Sequence, residues 1–315
     1  MANLNKLFID FNDNITIAKS KSDNLKTSRD ALRNDIKNWF SDEEMLQPKF
    51  CWQGSYAMKT LINPLNGNDY DLDDGIYLQG YDDREQDEWI STATAHRWVK
   101  RAVDNRTKQD VVDKSTCVRV PYATGYHIDL PIYICKEKIA YLAHKDKGWI
   151  ESDPKAFKDW FISNVNQNGE QLRRIVKYLK AWKDYNEVPL KGLEITILAT
   201  NCFDGYLQRD DRCLANTVEE IIAVLEKKFE CVKPVLPGED LFEGASESKK
   251  TKILNSLKRL KDKLNQANNE SDEKIASEYV REVLGKRFPL GNTSTNAMFA
   301  ASAMPGVLRR DGRSA

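Results

Sequence analysis

The sequence predicts an α+β fold in which a mixed sheet with a long N-terminal helix is followed by a helical second lobe. Three observations predict it: apolar residues at helical spacing through the first 40 positions, strand-like runs between residues 49 and 135, and helical periodicity after Gly169. With 315 residues, 41% of them hydrophobic, the chain is long enough for one large two-lobed unit. We place the first lobe at residues 1–165, the helical lobe at 166–295 and a mobile tail at 296–315.

The N-terminal helix follows from the spacing of apolar residues. From Leu4, alternating steps of four and three residues reach Trp39, and eight of the ten positions from 8 to 39 are apolar. This spacing predicts one long helix, or a helix pair, packed along the body of the protein. Ser22 and Arg29 interrupt the series, which makes the seam of a coiled-coil dimer the weaker alternative.

The later elements follow in order along the chain. The segment "PKFCWQGSYAMKTLI" predicts a short strand, a Gly-Ser turn and the start of a helix. "DYDLDDGIYL" and "HIDLPIYIC" are typical of strands, and "EWISTATAHRWVKRAVD" of a helix between them. Four segments after Gly169 are typical of helices: "EQLRRIVKYLKAWKDY", "GLEITILATNCF", "LANTVEEIIAVLEKKF" and "SESKKTKILNSLKRLKDKLNQAN".

Charge and cysteine content argue against several classes of protein. Lys plus Arg and Asp plus Glu both number 48, so no overall field attracts nucleic acid or anionic lipid. The six cysteines include no CxxC pair, and the three histidines complete no zinc spacing. No apolar run approaches 18 residues and the first residues include acidic ones, so we expect a cytoplasmic protein with reduced thiols and no membrane association.

A cluster of aspartates marks the first strand-like run after the Gly-Ser turn. Residues i and i+2 of a strand point the same way, so two aspartates at that spacing repel each other unless a cation lies between them. Asp69 directly follows a turn, whereas Asp71 and Asp73 flank Leu72 inside the run. We therefore assign the cation-binding pair to Asp71 and Asp73, and expect Asp74, on the other face, to be structural.

Two further features complete a candidate phosphate and metal site. Gly54 permits a tight turn and Ser55 offers a hydroxyl and an N–H to an anion, although the pair alone is typical of a helix cap. Asp129 lies between apolar residues, where a carboxylate needs a buried arginine or a metal as its partner. Three carboxylates beside a phosphate-binding turn can hold two magnesium ions for nucleotidyl transfer.

These motifs carry a family resemblance. Gly54-Ser55, Asp71-x-Asp73-x-Gly75-x-Tyr77 and the Asp of "HIDLPIY" resemble the polymerase-β-type nucleotidyltransferase core. They look specifically like those of the bacterial cyclic-oligonucleotide synthases of antiphage CBASS signalling (CD-NTases), relatives of cyclic GMP-AMP synthase and oligoadenylate synthase. "GEQLRRIVKYLKAWKDY" is similar to the helix that begins their second lobe, and the N-terminal helix to their spine. The resemblance covers residues 1–290.

The resemblance implies a role for each motif residue. Gly54 and Ser55 would hold the β- and γ-phosphates of the donor nucleotide. Asp71 and Asp73 would ligate both metal ions. Asp129 would join them as a ligand and help to activate the acceptor hydroxyl.

Assignments in the helical lobe are looser. Lys180 matches a lysine that contacts the triphosphate in this family. Arg173, Lys177 and Lys180 share one helix face, which either borders the cleft, with Lys177 as a second nucleotide contact, or is a solvated basic face. The small hydroxyl residue of the next helix would be Thr196, with Glu194 as a competing alignment.

The resemblance implies a magnesium-dependent enzyme that converts nucleoside triphosphates, ATP among them, into a cyclic oligonucleotide second messenger. We expect cyclic triadenylate; a cyclic dinucleotide synthase, an RNA-tailing or small-molecule nucleotidyltransferase and a catalytically silent nucleotide sensor are the alternatives. The tail at 296–315 is expected to bind a HORMA-type regulator. The basic helix around residues 249–263 either lies at the surface with its charged face in solvent or binds duplex DNA.

Overall fold

The computed structural model describes residues 1–65 and 69–292, so the predicted tail at 296–315 lies outside the described residues. The described helices are α1 (Asn5–Ile15), α2 (Lys19–Asp42), α3 (Gly54–Ala57), α4 (Thr92–Val103), α5 (Pro154–Asn168), α6 (Glu170–Tyr185), α7 (Gly192–Asn201), α8 (Asp210–Lys227), α9 (Glu247–Asn269) and α10 (Glu273–Leu284). The described strands are β1 (Lys49–Gln53), β2 (Tyr70–Leu78), β3 (Val112–Asp113), β4 (Val118–Tyr122), β5 (Tyr126–Leu130), β6 (Ile132–Lys136), β7 (Ile139–His144) and β8 (Gly148–Glu151). Among these helices none is both long and apolar enough to cross a membrane. The mixed α+β class is confirmed.

The strands form one mixed sheet in the order β3-β4-β5-β2-β6-β7-β8, with β1 antiparallel to β2. The predicted strand "HIDLPIYIC" is divided at Pro131, which has no N–H to donate to a neighbouring strand. The carbonyl of Pro131 accepts a hydrogen bond of 2.9 Å from the backbone N–H of Ile76. Both halves, β5 and β6, therefore stay parallel to β2.

The N-terminal region is a helix pair, so of the two predicted arrangements the single long helix was wrong. Ile15, Thr16 and Ile17 are three β-branched residues in a row, which lowers helix propensity at the break. Thr16 has an extended backbone, and its hydroxyl donates to the carbonyl of Asn12 at 2.6 Å. The break lets the two helices pack on different cores.

Two hydrophobic cores underlie the two lobes. The sheet, α2 and α4 enclose one, which includes Leu25, Leu32 and Ile36 of α2. The other joins α1 to helices α5 to α10, with Phe8 and Phe11 among its fully buried side chains. Because α1 and α5 pack on the helical core, part of the segment 1–165 contributes to the second lobe; the boundary at residue 165 stays a prediction.

Candidate active site

The aspartates of β2 divide between its two faces as the alternation of a strand requires. Asp71 and Asp73 line a cleft of about 570 Å³ that also takes residues from α3, α6 and α7. Asp74 faces the other way and is fully buried, where Arg33 of α2 donates to both of its oxygens, with Nε at 2.6 Å from Oδ2. Asp74 is thus a structural residue that ties α2 to the sheet.

The Asp73 carboxyl lies in an environment that disfavours its negative charge. Burial, followed by the neighbouring charges of Asp71 and Asp129, raises the pKa of Asp73 from 3.8 to about 8. Arg119 and Lys180 oppose this effect only in part. A bound cation is therefore the natural partner of the Asp71 and Asp73 pair.

The Gly-Ser turn packs directly on this pair. Gly54 has a φ of +66°, and a Cβ atom built on it would lie 2.1 Å from Oδ2 of Asp73. Only glycine can bring the backbone so close to the carboxylate. Ser55, at the start of α3, lines the same cleft.

Asp129 is brought beside Asp73 by the parallel pairing of β2 and β5, in which the two residues are direct neighbours. The Asp129 side chain, however, is held by Arg119 of β4: Nε and Nη2 of the guanidinium donate to its two oxygens, both at 2.7 Å. Of the two partners that the sequence leaves open for Asp129, the structure shows the arginine. Asp129 is 8% exposed.

Lys180 of α6 reaches the cleft from the helical lobe. Its Nζ donates to the side-chain oxygen of Thr60 at 3.0 Å and to the Thr60 carbonyl at 3.3 Å. Burial lowers the pKa of Lys180 from 10.5 to about 8, against the opposing effect of Asp71. Thr196 also lines the cleft, with its hydroxyl donating to the carbonyl of Gly192 at 2.7 Å.

Two other residues of the helical lobe lie away from the cleft. Lys177 lines a separate cavity on the other side of α3. Glu194, the competing candidate to Thr196, is fully buried, and one of its oxygens accepts from the backbone N–H of Lys191 at 2.6 Å at the start of α7. The structure thus brings together Gly54, Ser55, Asp71, Asp73, Lys180 and Thr196, and leaves Lys177 outside.

The donor set on β2 fits a hard divalent cation. Carboxylate oxygens are the ligands that Mg²⁺ prefers, and Mg²⁺ is commonly bound by one or two carboxylates together with substrate phosphates. The carboxylates of Asp71 and Asp73 fit that description, and the raised pKa of Asp73 shows that a positive charge would stabilise the pair. Within residues 1–65 and 69–292, no three His, Cys, Asp or Glu side chains are arranged to hold a metal together. The role of Asp129 as a third metal ligand stays a prediction; in this structure both of its oxygens accept hydrogen bonds from Arg119.

Comparisons with known proteins agree with this geometry. Residues 48–133, which contain the Gly-Ser turn and all three aspartates, match the family described as "Cyclic GMP-AMP synthase DncV-like, nucleotidyltransferase domain". This segment is a DncV-like nucleotidyltransferase domain. This family is part of the CD-NTases, as the sequence motifs indicated.

Individual relatives show how far the similarity extends. A cyclic GMP-AMP synthase of Escherichia albertii is 29% identical to this chain over an aligned region that covers 62% of this chain and 45% of that protein. A c-di-GMP synthase of Roseivirga ehrenbergii is 23% identical over 71% of this chain and 68% of its own length. The structure of the Vibrio cholerae DncV cyclic AMP-GMP synthase with the linear intermediate pppA(3′,5′)pG has a TM-score of 0.77 at 18% identity, over 91% of this chain and 97% of that one. That likeness shows the DncV fold.

Sequence reasoning missed two residues of this DncV-like site. Arg119 is one, although the hairpin of β4 and β5 would have placed it opposite Asp129, because the "YATGY" turn lies midway between them. Thr60 is the other, and no sequence signal marks it, since its contact with Lys180 joins residues 120 positions apart.

The basic helix of this DncV-like chain is α9, and much of its charge is balanced locally. Lys258, Lys261 and Lys263 pair with Glu226, Glu219 and Glu282 at 2.6, 3.8 and 2.7 Å. Ion pairs of this kind are typical of a solvated surface face. The structure gives the duplex-DNA alternative no support.

Proposed function

We propose that this chain is a magnesium-dependent nucleotidyltransferase that joins nucleoside triphosphates into a cyclic oligonucleotide. The observation that carries the proposal is the Asp71 and Asp73 pair, which faces the cleft with the Gly54 backbone packed against it and Lys180 opposite. A protein that only senses nucleotides has no need for carboxylates held together at such a cost.

In the proposed reaction, the ribose hydroxyl of one nucleotide attacks the α-phosphorus of another. A P–O bond to the acceptor forms, the bond between the α- and β-phosphates breaks, and pyrophosphate leaves. The hydroxyl proton passes to a carboxylate of the site, a role that the family resemblance assigns to Asp129. A second transfer of the same kind closes the ring.

The chain's own residues bind and orient the substrates. The backbone at Gly54 and the Ser55 hydroxyl would hold the donor's phosphates, and Lys180 would meet their negative charge from the helical lobe. Magnesium bound to Asp71 and Asp73 would neutralise the triphosphate and the leaving pyrophosphate. Arg119 holds the Asp129 carboxylate by two hydrogen bonds.

The relatives favour a cyclic dinucleotide as the product, since two of them are named for cyclic GMP-AMP and c-di-GMP. The sequence-based expectation of cyclic triadenylate has no support among them. The proposed substrates are therefore ATP and GTP. We propose a role for this product in defence signalling, and the resemblance of the motifs to those of antiphage synthases supports it.

The experiment is an incubation with labelled ATP and GTP and magnesium, followed by phosphatase and mass spectrometry. A cyclic product lacks a phosphatase-sensitive end, a tailing enzyme gives linear chains, and a silent sensor gives no product. Asp71→Asn should abolish the product, whereas Asp69→Asn, the same change outside the strand at the edge of the cleft, should retain it. Full activity of Asp71→Asn would refute the proposal.

A further inference from the structure

The segment that joins α8 to α9 forms a hairpin beside the active-site cleft. The backbone N–H of Lys233 donates to the carbonyl of Glu239 at 3.0 Å, and the two arms run antiparallel. The arms meet in a tight turn, where the N–H of Gly238 donates to the carbonyl of Val235 at 2.9 Å. We call residues 231–241 the cleft hairpin.

The base of the cleft hairpin is anchored in the helical lobe. Oδ1 of Asp240 accepts hydrogen bonds from the backbone N–H groups of Cys231 at 2.7 Å and of Phe242 at 3.0 Å. Phe242 is 2% exposed, and its ring centroid lies 4.8 Å from that of Phe229. The hairpin therefore starts from a packed base, which fixes its direction relative to the helical lobe.

The tip of the cleft hairpin gives the cleft an apolar wall and a cation. Lys233, Val235 and Leu236 all line the cleft. Leu236 is 59% exposed, so a planar ligand in the cleft can still bury apolar surface against it. Pro154 and Phe157 of α5 add further apolar surface to the same cleft. Apolar walls with a few polar groups are typical of sites that bind the base of a nucleotide.

Lys233 is separate from the cations at the proposed phosphate end of the cleft. The cationic groups that lower the pKa of Asp73 most are Arg119 and Lys180. Lys233 is not one of them, which indicates that it lies farther from the proposed metal site. A nucleotide that places its phosphates at the Gly54 turn extends its base away from that turn, into the remaining part of the cleft.

Glu239 holds the ammonium of Lys233 but does not use all of its donors. The Nζ atom of Lys233 lies 2.5 Å from Oε1 of Glu239, and the lysine side chain is only 18% exposed. An ammonium carries three N–H groups, so two remain for a ligand in the cleft. Glu239 does not itself line the cleft. The ionisable side chain that the hairpin adds to the cleft is therefore a hydrogen-bond donor, held in place by its partner.

We propose that Lys233 selects a purine with a keto oxygen at position 6, which among the common nucleotides is guanine. Guanine presents that oxygen and the neighbouring ring nitrogen as two acceptors on one edge, whereas adenine presents the ring nitrogen beside an amino donor. Lys233 donates to the two acceptors of guanine, and Leu236 packs on the face of the base. The adenine amino group finds no acceptor there. The inference rests on the proposed function, and it names the base that one of the two nucleotides carries.

Nucleoside monophosphates test the choice of base without any reaction, because they have no pyrophosphate to release. Calorimetry with GMP, IMP, AMP and the 2-aminopurine ribonucleotide measures the four affinities. GMP and IMP carry the keto oxygen and should bind about tenfold more tightly than the other two, which lack it. Lys233→Met should remove this preference by weakening GMP and IMP alone.

Two further variants separate the edge of the base from its face and from general charge effects. Leu236→Ser should weaken all four nucleotides alike, because contact with the face of a base does not depend on its edge. Lys228→Met removes a lysine that pairs with Glu230 outside the cleft, and it should leave every affinity unchanged. Equal weakening of AMP and GMP by Lys233→Met would show a phosphate contact and overturn the proposal. A wild type that binds all four nucleotides equally would also overturn it.

The same measurements distinguish this inference from the proposed reaction. A preference for GMP and IMP that Lys233→Met removes, in a protein that forms no product from triphosphates, would contradict the proposed reaction alone. Product formation by a protein without that preference would contradict the role of Lys233 alone.

Discussion

The backbone of Gly54 and the carboxylate of Asp73 are in direct contact, so closely that a Cβ atom on residue 54 would lie 2.1 Å from Oδ2 of Asp73. This contact links the proposed phosphate-binding turn to the proposed cation-binding pair.

We expect Gly54→Ala to abolish activity and to destabilise the fold by more than about 3 kcal/mol, because a left-handed backbone and a clash act together. Gly148→Ala is the matched control: Gly148 has a φ of +72° and nothing within 4 Å of the added Cβ. It should cost only about 1–2 kcal/mol and leave activity intact. Thermal unfolding and product formation measure both effects. Equal destabilisation by the two variants would contradict the role of the contact.

Asp73→Asn should inactivate the enzyme while stabilising the magnesium-free protein. The folded-state pKa of Asp73 is raised from 3.8 to about 8, so the folded protein holds this proton more tightly than the unfolded chain. The group's contribution to stability is full below pH 3.8 and is lost as the pH rises through about 8. Each unit by which the folded state raises the pKa of Asp73 corresponds to about 1.4 kcal/mol of unfolding free energy that is lost when the carboxyl ionises.

Melting temperatures recorded in the presence of a chelator, at pH values from 5 to about 9, measure this effect. The advantage of Asp73→Asn over the wild type should grow with pH and level off above 8. Asp69→Asn should show little such trend, because the Asp69 side chain is 64% exposed. A constant difference between Asp73→Asn and the wild type at all pH values would exclude the proposed charge repulsion.

Thr60 should be needed to hold Lys180 in the cleft. Thr60→Val keeps the shape but removes the oxygen 3.0 Å from Nζ, so a buried ammonium loses one of its two partners. We expect a loss of about 1–2 kcal/mol in stability and weaker triphosphate binding. The control is Thr200→Val, in which a buried threonine of α7 loses a bond to its own helix. Triphosphate affinity equal in both variants would show that Thr60 does not position Lys180.

Much of this architecture was predictable from local patterns. Strand alternation separated Asp71 and Asp73 from Asp74, and helical spacing located α6 and α9. Lys177 was harder to place, because residues three apart on a helix differ in direction by only about 60°. That small angle separates the active-site cleft, which Lys180 lines, from the separate cavity that Lys177 lines.

What the sequence could not supply depends on contacts between distant segments. The helix break at Thr16 places α1 on the helical core and α2 on the sheet, which the continuous apolar spacing concealed. Asp129 was predicted to need either an arginine or a metal. The choice of Arg119 depends on the strand register that the structure shows.

The Arg119 and Asp129 pair can be tested as a unit. Arg119→Met leaves the Asp129 carboxylate, 8% exposed, without its two hydrogen bonds, and should cost about 3 kcal/mol of stability. Arg119→Met combined with Asp129→Leu removes both charges and should recover most of that loss, because no unpaired charge remains buried. Arg119→Lys should fall between Arg119→Met and the wild type, since a lysine keeps the charge without the two-pronged geometry.

Denaturant unfolding of the wild type, Arg119→Met, Asp129→Leu and the double variant gives the coupling energy, and labelled triphosphate gives the activity of these proteins and of Arg119→Lys. If the pair only stabilises the sheet, the double variant should recover activity to the same extent as it recovers stability. If Asp129 serves the reaction, the double variant should be stable and inactive, whereas Arg119→Lys should keep measurable activity. Additive losses in the double variant would show that the two side chains do not depend on each other.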